Sequence, residues 1–344
     1  MSKKINKKGK SSTKKKVLTV LLVIVVIMLI FLITLTCFIH SKLSKVNYVE
    51  LKNIEINEGV SEQLKGYRNV ALFGVDARAD TYDNTRSDGI IIASINEQTN
   101  EVKLTSIYRD TMVYIEGHGY DKITHAYAYG GPELAINTIN KNFDLDVKEF
   151  VAVNFDAVID IIDEIDGIQM NITNDEVEQI NKNIDLLAKQ TGRQGTKVSR
   201  AGTQNLDGGQ ALAYARIRKL AGGDYKRTER TRDVLGACFQ KAKTLNVAQL
   251  NKLSDKLLPR VYTNVSSSEI LKLVPDIIKY NITESKGWPY EVKGITLDKW
   301  YGVPVTLETN VQQMHKELFG NENYQVSSKV KEYSDAIVKK TGYK

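Results

Sequence analysis

The chain has 344 residues, 42% of them hydrophobic, 26% charged and only 5 of them proline, which fits one or two ordinary globular domains and excludes a disordered or collagen-like polymer. The formal charge of +7 and pI near 9.0 arise from eight lysines before residue 17, at positions 3, 4, 7, 8, 10, 14, 15 and 16. Without them 40 basic groups face 41 acidic ones, so the globular part lacks the broad positive field of a phosphate-backbone binder, which argues against nucleic acid as its main partner.

The lysine-rich segment 1–16 is followed by 23 uncharged residues, Val17 to Ile39. At ~1.5 Å rise per residue such a run crosses a bilayer core, so the sequence predicts one N-terminal transmembrane anchor. A cleavable signal peptide competes with this reading, but the apolar run is long and passes through Leu35-Thr36-Cys37-Phe38 without a small-residue cleavage pattern. The lysines place the N-terminus in the cytoplasm, giving a single-pass membrane protein whose functional part is extracytoplasmic. Beyond the membrane Cys238 is the one cysteine, so no disulfide forms within that part; this suits a bacterial surface protein.

Residues 40–66 read as a stalk and 67–323 as one extracytoplasmic domain, with 324–344 a loose C-terminal tail. Strand-like runs begin at Val70–Val75 and Ile90–Ile95, and the alternating Val102–Ile107 follows a hairpin turn at 97–100. Gly130-Gly131-Pro132 predicts a helix start, with Pro in the first turn. Val158, Ile161, Ile162 and Ile165 then mark a helix that stops at Asp166-Gly167 before a strand over Ile168–Ile172. An amphipathic helix is expected over 176–190. Asp207 and Gln210 form a capping-box pattern for a short helix over 208–213, Tyr214–Arg218 reads as a strand, and 225–243 as a helix. The fold class is therefore α/β, a mixed central sheet flanked by helices.

If the first three strands form a meander, Asp76, Asp88 and Arg109 meet at one sheet edge beside Arg78 and Arg86. Asp76 and Asp88 then suit Mg²⁺, with water and phosphate oxygens completing its shell; the plainer alternative has Asp76 capping a turn and Asp88 pairing with Arg86. On a strand, Arg216 and Arg218 point to one face as an anion clamp. Asp224 as N-cap, with Arg227 and Arg230 on the first turns, makes a phosphate site at a helix start, or else a solvated face. Of 12 arginines against 36 lysines, eight (78, 86, 109, 216, 218, 227, 230 and 232) lie in these stretches, where a rigid bidentate fork suits pyrophosphate oxygens. No P-loop, zinc-protease, paired-cysteine or serine-hydrolase pattern occurs, and His118 and His125 read as hydrogen-bonded structure.

Six blocks carry a resemblance over about 66–241: Leu72-Phe73-Gly74-Val75-Asp76-Ala77-Arg78, Arg86-Ser87-Asp88, Ser106-Ile107-Tyr108-Arg109-Asp110, the run from Asp121 to Pro132, the run from Leu206 to Arg218, and Gly223-Asp224-Tyr225-Lys226-Arg227-Thr228-Glu229-Arg230. In this order they resemble the LytR-CpsA-Psr family of cell-wall glycopolymer ligases. The resemblance implies an α/β sandwich enclosing a polyprenyl tail. It implies Mg²⁺-assisted transfer of a glycopolymer phosphate from undecaprenyl pyrophosphate to peptidoglycan, in attachment of capsule or teichoic acid. It assigns Asp76 and Asp88 to Mg²⁺, Arg109, Arg216, Arg218, Arg227 and Arg230 to the phosphates, and Arg78 and Arg86 to supporting contacts. Arg109 is expected at the reacting phosphate, with Asp224 and Asp110 as alternative general bases. Gly89 and Thr231 depart from the usual Thr and Gln, leaving one phosphate contact missing or replaced by the Thr231 hydroxyl. A polyprenyl-pyrophosphate hydrolase and a non-catalytic lipid-pyrophosphate regulator are the alternative functions.

Overall fold

Alternation in the sequence builds the centre of the molecule first. The computed structural model describes residues 46–76, 82, 85–266, 269–270 and 277–344. The lysine-rich segment, the expected anchor over 17–39 and Arg78 lie outside the described residues. After β1 (Asn47–Tyr48) and the one-turn α1 (Val60–Gln63), the chain lays down an antiparallel meander, β2 (Tyr67–Val75), β3 (Ser87–Asn96) and β4 (Glu101–Ile107). A hairpin, β5 (Met112–Ile115) and β6 (Gly119–Lys122), leads into α2 (Ile123–Phe143). Then come β7 (Glu149–Asn154), α3 (Phe155–Glu164), β8 (Ile168–Ile172), α4 (Asn174–Thr191), β9 (Gly202–Leu206), α5 (Gly208–Ala215), α6 (Gly223–Ala242) and α7 (Val247–Leu257). The chain ends with β10 (Tyr262–Thr263), β11 (Asn281–Trp288), the hairpin β12 (Val292–Thr296) and β13 (Trp300–Pro304), α8 (Leu307–Phe319) and α9 (Ser328–Thr341).

The main sheet has seven strands in the order β1-β10-β7-β2-β3-β4-β11 and is mixed: β2 runs antiparallel to β3 but parallel to β7, and β11 is parallel to β4. Both of its faces are covered, which is why β3 reads as a continuous apolar run rather than an alternating one. Ile90 and Ile92 join the larger core with Ile136, Ile139 and Phe143 of α2, and Ile91 and Ala93 point to the other face with Leu104, against Leu235 of α6. A separate core fills the helical side, where Ile159 and Ile162 meet Ile168, Ile180, Ile184 and Leu212. Full burial of each such side chain contributes about 1.5–3 kcal/mol.

Several boundaries differ from the sequence reading. The described part of the stalk is not free: Val60 and Leu64 are buried in the main core, and β1 pairs with β10. The C-terminal segment is not a loose tail but the helix α9, whose Val330, Tyr333 and Ile337 are buried. Residues 46–344 accordingly form one compact unit. The helix expected from Pro132 does begin there, because Gly130 and Gly131, the latter at φ 63°, break the helical geometry; what the sequence reading omitted is the helical stretch before the break, which starts at Ile123. Tyr214–Arg218 is not a strand: α5 runs to Ala215 and Arg216 is its C-cap. The Asp207/Gln210 capping box is present, with both reciprocal hydrogen bonds. Among the described residues no helix is long and apolar enough to cross a membrane.

Candidate active site

The meander brings the ends of β2 and β4 and the start of β3 to one edge of the sheet, as the sequence reading expected. The Asp76 backbone N–H donates to the Arg86 carbonyl at 3.2 Å, beside an irregularity in the β2–β3 register after Gly74. Asp88 pairs not with Arg86, which is exposed, but with Arg109, whose Nη1 donates to Asp88 Oδ1 at 2.8 Å. Lys122, at the end of β6, reaches Asp110 at 2.7 Å.

The start of α6 supplies the other half. Its N-cap is Gly222, in the left-handed region at φ 87°, and not Asp224, which sits in the first helical turn. A side chain at 222 would be strained in that conformation, so glycine permits the sharp entry that turns Asp224 toward the sheet edge. Asp224 lies 2.9 and 3.0 Å from Nε and Nη2 of Arg227, 3.4 Å from Nε of Arg218 and 3.8 Å from Nε of Arg109. Arg227 Nη2 also donates to the Asp88 carbonyl at 3.4 Å. Arg109, Arg218 and Arg227 thus converge around Asp88, Asp110 and Asp224.

The electrostatics of this cluster are uneven. Burial lowers the pKa of Arg218, and the neighbouring Arg227 and Arg109 lower it further. Burial also opposes the charge on Arg109, but Asp88, Asp224 and Asp110 outweigh it and raise its pKa. Even so, the buried Nε of Arg109 makes no hydrogen bond; Asp110 and Asp224 stand 3.6 and 3.8 Å away. Leaving a buried donor unmet costs about 1–3 kcal/mol. Three guanidinium groups held together, two of them (Arg109 and Arg227) with a buried Nε–H that makes no hydrogen bond, form a site for an oxyanion with several oxygens.

Other expected residues are placed elsewhere. Since 216 and 218 are not on a strand, they do not share a face: the Arg216 guanidinium lies 4.9 Å from the centre of the Phe155 ring, while Arg218 reaches Asp224. Arg230 is only 4% exposed, and its Nε donates to Glu176 at 2.9 Å, which ties α6 to α4. The Thr231 hydroxyl donates to the Arg227 carbonyl at 3.0 Å. Arg232, buried in α6, donates through Nε to Ser285 at 2.8 Å. His125 lies 2.8 Å from Asp121 and His118 stacks on Tyr129, the structural roles expected of them. The sequence reading overlooked Lys122 as a partner of Asp110, although Lys122 lies in one of the motif blocks.

Among the described residues no group of three or more His, Cys, Asp or Glu is placed to hold a metal ion, so an all-protein cage is not present there. Asp76, exposed at the sheet edge, and Asp88 are a pair of carboxylates, which fits Mg²⁺, an ion usually held by one or two carboxylates with water and phosphate oxygens. One cavity borders the cluster, and a second lies further along α6 and shares no lining residue with it. The first, of about 430 Å³, is lined by Asp110 and Asp224 together with Tyr108, Tyr225 and Trp300. The other, about 400 Å³, lies between α6 and the sheet, where Leu104, Met170, Ala237 and Ile282 meet Arg232 and Asp233.

Residues 33–320 match the LytR_cpsA_psr family. The chain is 35% identical over 257 residues to the polyisoprenyl-teichoic acid–peptidoglycan teichoic acid transferase TagT of Bacillus subtilis (strain 168), covering 72% of this chain and 75% of that protein. Among solved structures, TagT bound to LIIa-WTA superposes with a TM-score of 0.60 at 30% identity, covering 79% of this chain and 94% of the other. A LytR-CPS2A-psr family protein, YwtF (TagT), with bound octaprenyl pyrophosphate lipid matches with a TM-score of 0.54 at 28% identity, over 81% and 98% of the two chains.

Proposed function

The chain belongs to the LytR-CpsA-Psr family, and from that premise we propose that it is a polyisoprenyl-pyrophosphate-glycan phosphotransferase, which moves a glycopolymer from an undecaprenyl-pyrophosphate carrier to a peptidoglycan hydroxyl. The transferase name of its relative and the polyprenyl pyrophosphate in a structural neighbour support this reading. The observation that carries it is Arg109, which is held by Asp88 yet keeps a buried Nε–H without a hydrogen-bond partner in the midst of two further arginines.

Phosphoryl transfer asks little covalent chemistry of a protein; it needs positioning and neutralised charge. Arg109, Arg218 and Arg227 grip the pyrophosphate oxygens. The acceptor hydroxyl oxygen bonds to the phosphorus bearing the glycan, and the bridging P–O bond breaks. Polyprenyl phosphate leaves, and the hydroxyl proton passes to a carboxylate. Asp110 and Asp224 both line the neighbouring cleft, which supports them as alternative acceptors of that proton. Asp76 and Asp88 would hold Mg²⁺, which supplies further charge neutralisation at the phosphates. The apolar part of the second cavity, between α6 and the sheet, suits a stretch of the polyprenyl tail. The anchor over 17–39 holds this site on the outer face of the membrane, where such a lipid presents its head group.

The test uses the full chain in lipid nanodiscs with a polyprenyl-pyrophosphoryl disaccharide, Mg²⁺ and uncrosslinked peptidoglycan oligomers, read by mass spectrometry. Disaccharide phosphate joined to the glycan strand, and absent with Arg109→Ala, is the expected result. Polyprenyl phosphate released with no sugar on the glycan would instead identify a hydrolase, and no turnover would favour a binding protein.

A further inference from the structure

The 430 Å³ cleft beside the charged cluster has features that holding a pyrophosphate does not call for. Two of its walls are exposed aromatic rings, Tyr225 at 40% and Trp300 at 44% exposure, among the few large apolar side chains left in solvent. They come from different parts of the chain, Tyr225 from the start of α6 and Trp300 from β13. Neither ring is loose. Tyr225 meets Tyr108 edge-on, with ring centres 4.5 Å apart. The Trp300 indole lies on the backbone of Gly294: a Cβ there would stand 3.0 Å from its Nε1 and 3.2 Å from its ring, so the glycine provides the bed on which the indole rests.

The hairpin that carries Trp300 is fixed to the site. Gly302, opposite Gly294 in the hairpin, donates its N–H to the Asp110 carbonyl at 3.0 Å. Lys299 reaches Asp121 at 2.7 Å. Burial would push the Asp121 pKa up, but hydrogen bonds from Lys299, His125, the Lys122 amide and Tyr129 hold it well below the usual range, so this clamp stays charged. Trp300 is therefore held at a set position relative to Asp110.

We infer that this cleft is a saccharide subsite, in which Trp300 and Tyr225 stack on the apolar face of a pyranose ring while Asp110 and Asp224 accept hydrogen bonds from its hydroxyls. This rests on the transferase reading above and adds to it the place where the sugar sits. Aromatic faces carry negative charge density that attracts polarised C–H groups, and carboxylates are acceptor-only partners for hydroxyls. The cleft volume lies within the range of about 300–1,000 Å³ usual for small-ligand sites. A lipid tail would set apolar carbon against the charged carboxylates of Asp110 and Asp224, whereas a sugar uses aromatic and acidic walls together. The ring comes from one of two sources: the first sugar of the pyrophosphate-linked donor, or a ring of the acceptor glycan.

The chain has two tryptophans, and Trp288 is fully buried, so a ligand-induced change in emission reports on Trp300. The full chain in nanodiscs is titrated with chitotetraose, with a polyprenyl-pyrophosphoryl disaccharide, and with polyprenyl pyrophosphate lacking sugar. A saturable emission change with chitotetraose identifies the acceptor as the source; one confined to the disaccharide lipid identifies the donor. In either case isothermal titration, which does not depend on the indole, should show Trp300→Ala binding the sugar-bearing ligand at least tenfold more weakly than wild type, Trp300→Phe restoring most of that affinity, and sugar-free polyprenyl pyrophosphate binding wild type and both variants alike. Equal affinity of wild type and Trp300→Ala for every sugar-bearing ligand would overturn the subsite, even where polyprenyl pyrophosphate binds well. Failure of the sugar-free lipid to bind wild type would count against the transferase reading instead, with the chitotetraose titration still scoring the subsite.

Discussion

Asp88 and Arg109 stand 21 residues apart and close a 2.8 Å ion pair between the start of β3 and the turn that follows β4. The pair aims the guanidinium while leaving its Nε unused, so Arg109 is oriented before a ligand arrives. Removing a preorganised donor aimed at developing charge costs about 10²–10³ in rate. Arg109→Ala should therefore lower glycan transfer by about that factor at saturating donor. Arg109→Lys should recover only part of it, because an ammonium restores charge but not the fork. Initial rates measured beside melting curves check this; an alanine variant that keeps more than a third of the activity would refute it.

Arg230 separates a structural from a ligand-binding role. Its buried pair with Glu176 joins α6 to the capping box of α4, since Glu176 also accepts from the Thr173 amide. Breaking such a pair by removing one partner costs about 3–5 kcal/mol. Arg230→Ala should lose about that much stability in urea denaturation, whereas Arg227→Ala, whose partner Asp224 is partly exposed, should lose less stability and more pyrophosphate affinity. The opposite pattern would return Arg230 to the ligand site that the sequence reading gave it.

The meander and its charged edge were legible because β2, β3 and β4 are long apolar runs with a turn at 97–100, and because arginine is scarce in a lysine-rich chain. Arg216 and Arg218 were misread because the helix before them is extended by packing that is not local in sequence. The capping box at Asp207 starts α5, and burial of Leu212 and Tyr214 extends it past the short span that the sequence suggested. Packing of that kind depends on Ile159 and Ile180, distant in sequence, and no periodicity of eight residues reveals it. Residues 46–66 lack a period because they lie along the domain as an irregular strap, with Leu51, Ile54 and Ile56 packed against the core one at a time. Trp300 carried no signal at all: the hairpin's attachments at Gly302 and Lys299 bring it to the site.

Thr231 offers a sharper test of the phosphate contacts. Its hydroxyl hydrogen is committed to the Arg227 carbonyl one turn earlier, so it has no proton to give a phosphate oxygen. Thr231→Val removes that hydroxyl at nearly constant volume. The variant should bind polyprenyl pyrophosphate within about threefold of wild type, less than the roughly 1.4 kcal/mol that a tenfold change represents. Isothermal titration with the sugar-free lipid decides the point, and a tenfold loss would mean that the hydroxyl turns toward the ligand.

His315 should give the fold a distinct acid sensitivity away from the site. It is fully buried in α8, its Nε2–H donates to the Phe143 carbonyl at 3.1 Å, its Nδ1 has no hydrogen-bond partner, and its ring stacks on Tyr324 at 3.5 Å. Burial lowers its pKa from 6.5 to about 4, and the Phe143 carbonyl and Asp144 offset this only in part. Between those values the unfolded chain binds the extra proton, so stability falls as the pH drops. The contribution is complete above pH 6.5 and lost toward pH 4, about 3 kcal/mol in all. Carboxylates also titrate in the lower part of this window, so the comparison with His315→Phe carries the assignment. The variant should be less stable at pH 7, where it lacks the bond to Phe143, and the gap to wild type should narrow as the pH falls. Urea denaturation at half-unit steps from pH 7 to 4.5 measures that gap, and parallel curves would show that His315 does not titrate there.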